Sequence, residues 1–352
     1  MHQGLTVRRH DPHRVAEPDG WADFVAKNRL GVAWSWPLVL AAAAGGQQTA
    51  LIGTLHDGSA VAGLVTGRFI GPRIGRRRAP MAGILDIDSL TTSCFPGIVT
   101  AQPEAFGDAV HAVLAEVRGV QGVLLRQIIA DTLPAVLRRP AITREGGPIA
   151  HFANRFGDFD AYAHSLGRRR GPLRPVYNRL ARDTDLVVES TMDGELSAPV
   201  TPLDLRRLVN LVVDRHHTRR WLRKRYLSEA VAAAQVGTPG VHLRTYRDRA
   251  GRLLAVHTIL DHPELPVSSA WGSLDLADGG RKDLWFHSNA ELARWCIETG
   301  RAGFLSGQGS LTEKQRLGHE LTRQWAVLIP SSPRRRTAPD RQQTSVPSAA
   351  PD

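Results

Sequence analysis

Two stretches of sequence decide how this chain folds: residues 49–68, TALIGTLHDGSAVAGLVTGR, and residues 241–260, VHLRTYRDRAGRLLAVHTIL. Each shows the period-2 apolar alternation of a strand, broken by an Asp/Gly-bearing turn, which together predict a β-hairpin. A Thr-x-x-Asp pair enters both turns, Thr54 with Asp57 and Thr245 with Asp248. The two hairpins lie about 190 residues apart, and similarity at a fixed offset points to an internal duplication.

The flanks repeat as well. Ahead of the hairpins stand opening helix patterns at Trp21–Asn28 and Pro202–Arg219, then short Ala-rich ones at Trp36–Ala44 and Tyr226–Val236. Behind them come amphipathic helix patterns, Pro103–Arg118 and Asp283–Gly300, each leading into an apolar strand, Val120–Ile129 and Ala302–Ser306. A short helical stretch follows in each copy (Thr132–Arg139; Thr312–Leu321), then a last strand (Ile149–Phe156; Trp325–Ile329). One turn can recur by chance; this order of elements is much less able to. The chain therefore divides into a first α/β unit over residues 1–156, an Arg-rich linker over 157–200, and a second unit over 201–330. A tail, 331–352, is rich in Ser, Pro, Arg and Gln and is expected to be disordered.

With 352 residues, 42% hydrophobic and 22% charged, the chain has the composition of a globular protein large enough for two domains. The longest apolar stretch, Trp34–Ala44, has about half the length of a membrane span. The first residues, Met1–Arg14, lack an apolar signal core, so a cytoplasmic location is expected. Cys94 and Cys296 are the only cysteines, too few for a disulfide framework or a four-cysteine zinc site, and are expected to be buried thiols. Net charge is +11, from 45 Lys and Arg against 34 Asp and Glu; such a surplus favours polyanions, RNA above all. An uneventful basic surface is the alternative.

Several stretches carry a family resemblance: Phe159-Asp160-Ala161-Tyr162 with Arg168-Arg169-Arg170 and Asn178-Arg179; Ser269-Ala270-Trp271-Gly272 to Asp275; and Phe304 to Gly309 with Glu313-Lys314 and Leu317-Gly318. With the duplicated element order, they make the chain similar to the tandem GNAT-fold acyltransferases of the FemAB-like and CelD-like groups. Gly171-Pro172 and Pro175 interrupt what that family keeps as one basic helix, and Pro175 suits the start of a new one. The resemblance implies an α/β fold of two GNAT-like domains, the first degenerate and the second catalytic. It implies transfer of an aminoacyl group from aminoacyl-tRNA, or of an acyl group from acyl-CoA, without a covalent enzyme intermediate. It also places the oxyanion donor, a backbone amide of a splayed strand, in Ser268–Ser273.

Acyl transfer needs a base for the attacking amine, donors for the oxyanion and a proton for the leaving oxygen. Four residues are candidates. Lys314, one of four lysines in an Arg-biased chain, falls on the family's signature lysine, where an ammonium would steady the oxyanion or the departing hydroxyl. His257 lies in a strand pattern, on a face where a satisfied core histidine is the plainer reading. His287 stands at the mouth of the second amphipathic helix, and Asp275 ends a strand, where a cap or turn role is ordinary. Trp271, Trp285, Gln308 and Gly309 are the expected substrate-binding residues. Arg168, Arg169, Arg170 and Arg174, with Arg215, Arg219, Arg223 and Lys224, are the expected tRNA-binding set. If the opening helix continues that far, Arg215, Arg219 and Arg223 share one face at i, i+4 and i+8, with aromatics interleaved, which suits phosphates and unstacked bases; a solvated helix face has the same look.

No Gly-rich phosphate cradle opens either amphipathic helix. The Gly- and Arg-spaced run Gly67–Gly75 follows a hairpin and contains Pro72, so it reads as loop or β-edge rather than a helix start. No cofactor or metal is expected; the adjacent His216 and His217 diverge on a helix. The expected partners are aminoacyl-tRNA and a small acceptor bearing an amine or hydroxyl, with no membrane. An inactive RNA-binding protein of the same fold is a third possibility.

Overall fold

The computed structural model describes residues 4–13, 16–46, 48–71, 73–74, 77–78, 83–117, 119–137, 140–167, 173–216 and 224–331. Arg168, Arg169, Arg170, Arg219, Arg223 and the tail from residue 332 on lie outside this set, as do Pro72 and Gly75 and the side chain of Arg174.

The first sheet opens with β1 (Thr6–His10), the hairpin β2 (Ala50–Asp57) and β3 (Ala60–Ile70), then β4 (Gly83–Ile87), β5 (Ile98–Thr100), β6 (Val120–Ile128) and β7 (Ile142–Glu145). The second holds β8 (Ile149–Ala153), β9 (Leu186–Ser190), the hairpin β10 (Val241–Asp248) and β11 (Leu253–Leu260), β12 (Val267–Ser273), β13 (Gly303–Gly307) and β14 (Glu320–Thr322). Both hairpins form where the alternation places them, and glycine supplies the left-handed turn residue in each, Gly58 (φ 61°) and Gly251 (φ 80°). Asp248 earns its place in the second turn by accepting a hydrogen bond from the Arg252 amide at 2.9 Å. Gly67 to Ile70 belong to β3, so the Gly/Arg-spaced run begins as strand.

The sheets do not follow the order of the chain. β8, which ends the first copy in sequence, pairs with β13 and β14 in the second sheet. The last strand, β15 (Trp325–Pro330), returns to the first sheet and sits between β6 and β7. The orders are β1-β2-β3-β4-β6-β15-β7, with β5 on β3, and β9-β10-β11-β12-β13-β8-β14. The two copies thus exchange their closing strands. β9, from the stretch read as linker, is the edge of the second sheet.

Helices cover the sheets by their apolar faces: α1 (Trp21–Lys27), α2 (Trp36–Ala44), α3 (Phe106–Glu116) and α4 (Leu133–Val136) in the first copy; α5 (Phe159–Ser165) and α6 (Leu173–Ala181) in the connection; α7 (Pro202–His216), α8 (Glu229–Gly237), α9 (Leu284–Glu298) and α10 (Leu311–Arg316) in the second. Asp158 caps α5 by accepting from the Ala161 amide at 2.7 Å, and Ser228 caps α8 through the Val231 amide. Pro175 falls within the first turn of α6, where its missing N–H costs nothing. α7 lies so close to β12 that a Cβ on Gly272 would stand 2.6 Å from the Val209 nitrogen. The family-like segments meet in space: the Tyr162 hydroxyl of α5 donates to the Leu317 carbonyl at 2.9 Å. A hydrophobic cluster joins the copies, Leu38 and Cys94 of the first against Val241, Leu260 and Val267 of the second.

Candidate active site

β12 and β13 run parallel but meet only at Val267 and Leu305. Beyond that contact they diverge, and the opening between them is a cavity of about 870 Å³. Its walls come from β12 (Ser268, Ser269, Trp271, Ser273), the end of α7 (Arg215), the opening of α9 (Trp285, Phe286) and the turn from β13 into α10 (Ser306 to Ser310, Lys314). The first copy closes one side with Thr92, Ser93 and Cys94. A strand that has lost its neighbour leaves backbone polar groups for something else to satisfy, which suits β12 to the oxyanion role expected of Ser268–Ser273.

Lys314 is 5% exposed. Its ammonium donates to the Ser306 carbonyl and, at 3.3 Å, to that of Gly307. An ammonium has three hydrogens, so one remains for the cavity. Burial pulls its pKa down to about 8, an effect that nearby Cys94 partly offsets. Near neutral pH the group is therefore a cation close to its titration point, able to donate a hydrogen bond and to give up a proton. Ser306 is also buried, and its hydroxyl has no partner among the described residues.

Arg215 is fixed at the rim: its guanidinium pairs with Asp275 at 2.5 Å and donates to the Ser273 carbonyl at 3.2 Å. Arg281, a second rim cation, pairs with Asp183 at 3.0 Å. Trp271 packs edge-on against Tyr246 and His257, so it is a rigid wall. The Gln308 amide donates to the Gly147 carbonyl and faces Gln324, both at 3.1 Å; it ties the turn to the end of β7. Gly309 has open space where a Cβ would be.

No known protein family and no curated protein matches the sequence. Solved structures do. FemX superposes with a TM-score of 0.58 at 10% identity, covering 92% of this chain and 97% of that one. L-PGS from Bacillus licheniformis gives 0.56 at 14% identity, covering 90% and 93%. The C-terminal domain of a putative lysylphosphatidylglycerol synthetase from Agrobacterium fabrum gives 0.56 at 14%, covering 88% and 90%. The chain has the tandem GNAT, FemAB-like fold.

Within that fold the candidate residues separate. Lys314, Trp271, Trp285, Gln308, Gly309 and Arg215 line the one cavity. His287 does not: α9 turns it the other way, stacked on Tyr177 with ring centroids 5.1 Å apart and hydrogen-bonded to Tyr246 at 3.0 Å. Asp275 lies past the end of β12, outside the lining, and acts on the cavity only by holding Arg215. His257 is 1% exposed and both ring nitrogens are occupied, Nδ1 with Ser288 and Nε2 with Ser268, each at 2.8 Å. Burial, reinforced by Arg244 and Lys314, holds its pKa down to about 3, so it is neutral and reaches the cavity only through Ser268.

Of the basic set, Lys224 is tied to Asp214 at 2.5 Å, and α7 is described only as far as His216. Cys94 and Ser268 also line the cavity, although the sequence marked Cys94 only as a buried thiol and Ser268 only as the start of the stretch holding the oxyanion donor. Cys94 comes from the other copy, and Ser268 is one serine among several. Both cysteines are buried free thiols. Among the described residues no helix is long and apolar enough to cross a membrane, and no group of three or more His, Cys, Asp or Glu could hold a metal ion.

Proposed function

We propose that this chain is an aminoacyltransferase that moves an aminoacyl group from aminoacyl-tRNA to an amine or hydroxyl of a small acceptor, in the assembly of a secondary metabolite such as an antibiotic. The observation that carries the reading is Lys314, buried at the foot of diverging strands in the wall of a cavity of about 870 Å³. That volume is in the range of small-molecule sites and suits an aminoacyl-adenosine end with an acceptor beside it. The acceptor attacks the ester carbonyl, the oxyanion takes hydrogen bonds from Lys314 and a backbone amide of β12, and the ribose oxygen leaves with a proton. Positioning does the rest.

The acyl-CoA alternative is less well served. A CoA pyrophosphate would sit at the opening of α9, where Asp283 stands in a left-handed conformation (φ 65°), paired with Arg179, and no glycine clears the approach. The rim cations Arg215 and Arg281 and the net charge of +11 suit tRNA. The test is binding of aminoacylated tRNA, deacylated tRNA and acetyl-CoA across a salt series. Preference for charged tRNA with a steep inverse salt dependence is expected; tight, salt-insensitive acetyl-CoA binding with indiscriminate tRNA binding would refute the reading. Charged-tRNA binding that survives Lys314→Ala with no transfer by wild type would favour an inactive RNA-binding protein.

A further inference from the structure

A file of buried polar side chains crosses the second sheet. It starts at Ser268, on the wall of the large cavity. Ser268 Oγ lies 2.8 Å from His257 Nε2, and His257 Nδ1 lies 2.8 Å from Ser288 Oγ on α9. Ser288 stands beside the Tyr246 hydroxyl and favours its ionised form against the stronger effect of burial, and that hydroxyl lies 3.0 Å from His287 Nδ1. His287 lines a second cavity, of about 270 Å³, together with Glu291 and Arg244. Ser288 and Tyr246 are 0% exposed, so the file joins two cavities through the dry interior.

Such a file is a poor way to build a core. Buried polar groups add little net stability even when every partner is present, and cost heavily when one is missing. Each of these side chains can both give and accept a proton, and each sits against the next. Two proton arrangements satisfy the whole file. In one, Ser268 donates to His257, His257 to Ser288, Ser288 to Tyr246, and Tyr246 to His287. In the other, every bond is reversed. Passing one proton along the file converts the first into the second; rotation of the hydroxyls and a change of imidazole tautomer restore it.

We propose that Ser268, His257, Ser288, Tyr246 and His287 form a proton relay that carries the proton lost by an attacking amine from the large cavity to the small one. The inference rests on the acyl-transfer reading above. An ammonium acceptor must shed two protons in the exchange: a C–N bond forms, the ester C–O bond breaks, the ribose oxygen takes one proton and the other leaves the site. Ser268 Oγ takes that second proton as its own passes to His257 Nε2, and His257 Nδ1–H passes to Ser288. Ser288 hands on to Tyr246, Tyr246 to His287 Nδ1, and His287 Nε2–H is released into the small cavity, where Glu291 and water receive it. Burial and Arg244 keep both imidazoles from holding the charge: His257 is pushed down to about 3, and His287, despite Glu291, to about 4. They transmit the proton without storing it. Ser268 is the catalytic residue of the file; the other four act through it.

The decisive experiment is Tyr246→Phe, which removes one hydroxyl from the middle of the file, with Ser288→Ala as a second cut in case the first does not fold. Transfer from bulk aminoacyl-tRNA carrying labelled amino acids to a primary amine, an amino-acid amide, is followed in mixtures of H₂O and D₂O. Wild type is expected to give a curved proton inventory, since several protons move together. Both cuts are expected to lower kcat about 10- to 100-fold with KM unchanged and to straighten the inventory. Wild-type kcat and an unchanged inventory in both variants overturn the relay and leave the aminoacyl-transfer reading standing. Failure of wild type to transfer to any primary amine, with no charged-tRNA preference in the salt series, overturns both.

Discussion

The two copies share an order of elements and differ at one seam. In the first, β4 and β6 pair all the way from Gly83–Val120 to Ile87–Leu125, with one irregularity after Gly83, and Arg126 on β6 reaches across to Asp86 on β4 at 2.7 Å. In the second, the matching strands β12 and β13 touch at Val267–Leu305 and part. Where the sheet zips, there is no room for substrate between the strands; where it splays, there is a cavity with a buried lysine at its foot. The site is thus a failure of sheet pairing, and the zipped copy serves it from outside, through Thr92, Ser93 and Cys94. A duplicated fold can keep one copy for chemistry and spend the other on shape.

The largest expected effect probes the open seam. Lys314→Ala should lower kcat for aminoacyl transfer about 100- to 1,000-fold, as loss of an oxyanion donor does, with charged-tRNA affinity unchanged in filter binding. Arg126→Ala, at the closed seam, should leave kcat alone but cost about 2 kcal/mol in urea unfolding, because Asp86 is buried without its partner. Equal loss of activity in both variants would break the comparison.

The copies should also respond oppositely to acid. Burial, aided by Asp86, lifts Asp88 of the first copy to about 6. A carboxyl raised in the folded state stabilises it below its unfolded pKa, and that stability is lost as pH rises through about 6. His257, His287 and His319 of the second copy are pushed down to about 3, about 4 and about 3, chiefly by burial. Groups lowered this way bind protons more readily once unfolded, so their half loses stability as pH falls below about 6.5. Hydrogen exchange, corrected for the intrinsic rate, should show second-sheet amides losing protection between pH 6 and 4 while those around β4 keep theirs. The smallest effect concerns the contact between family-like segments: Tyr162→Phe should cost about 1 kcal/mol in urea unfolding, the worth of one buried hydrogen bond.

The hairpins and helices were legible because alternation, Asp/Gly turns and capping residues are local. Lys314 was legible through the resemblance of its surroundings. The exchange of closing strands was not: Ile149–Ala153 reads as an apolar strand, and an apolar pattern fixes which faces are buried without naming the sheet edge it joins. His257 and His287 were singled out as separate candidates, whereas they belong to one file completed by Ser268, Tyr246 and Ser288. Nothing local marks residues from three strands and a helix as neighbours.

The position of β15 also sets a schedule for synthesis. A ribosome delivers the first copy long before Trp325–Pro330, so β6 must wait with one edge bare while some two hundred further residues are made. The sheet begun first is the last to be finished. A nascent chain that stops early presents an unpaired strand edge to chaperones and proteases, and completion is announced by that edge disappearing.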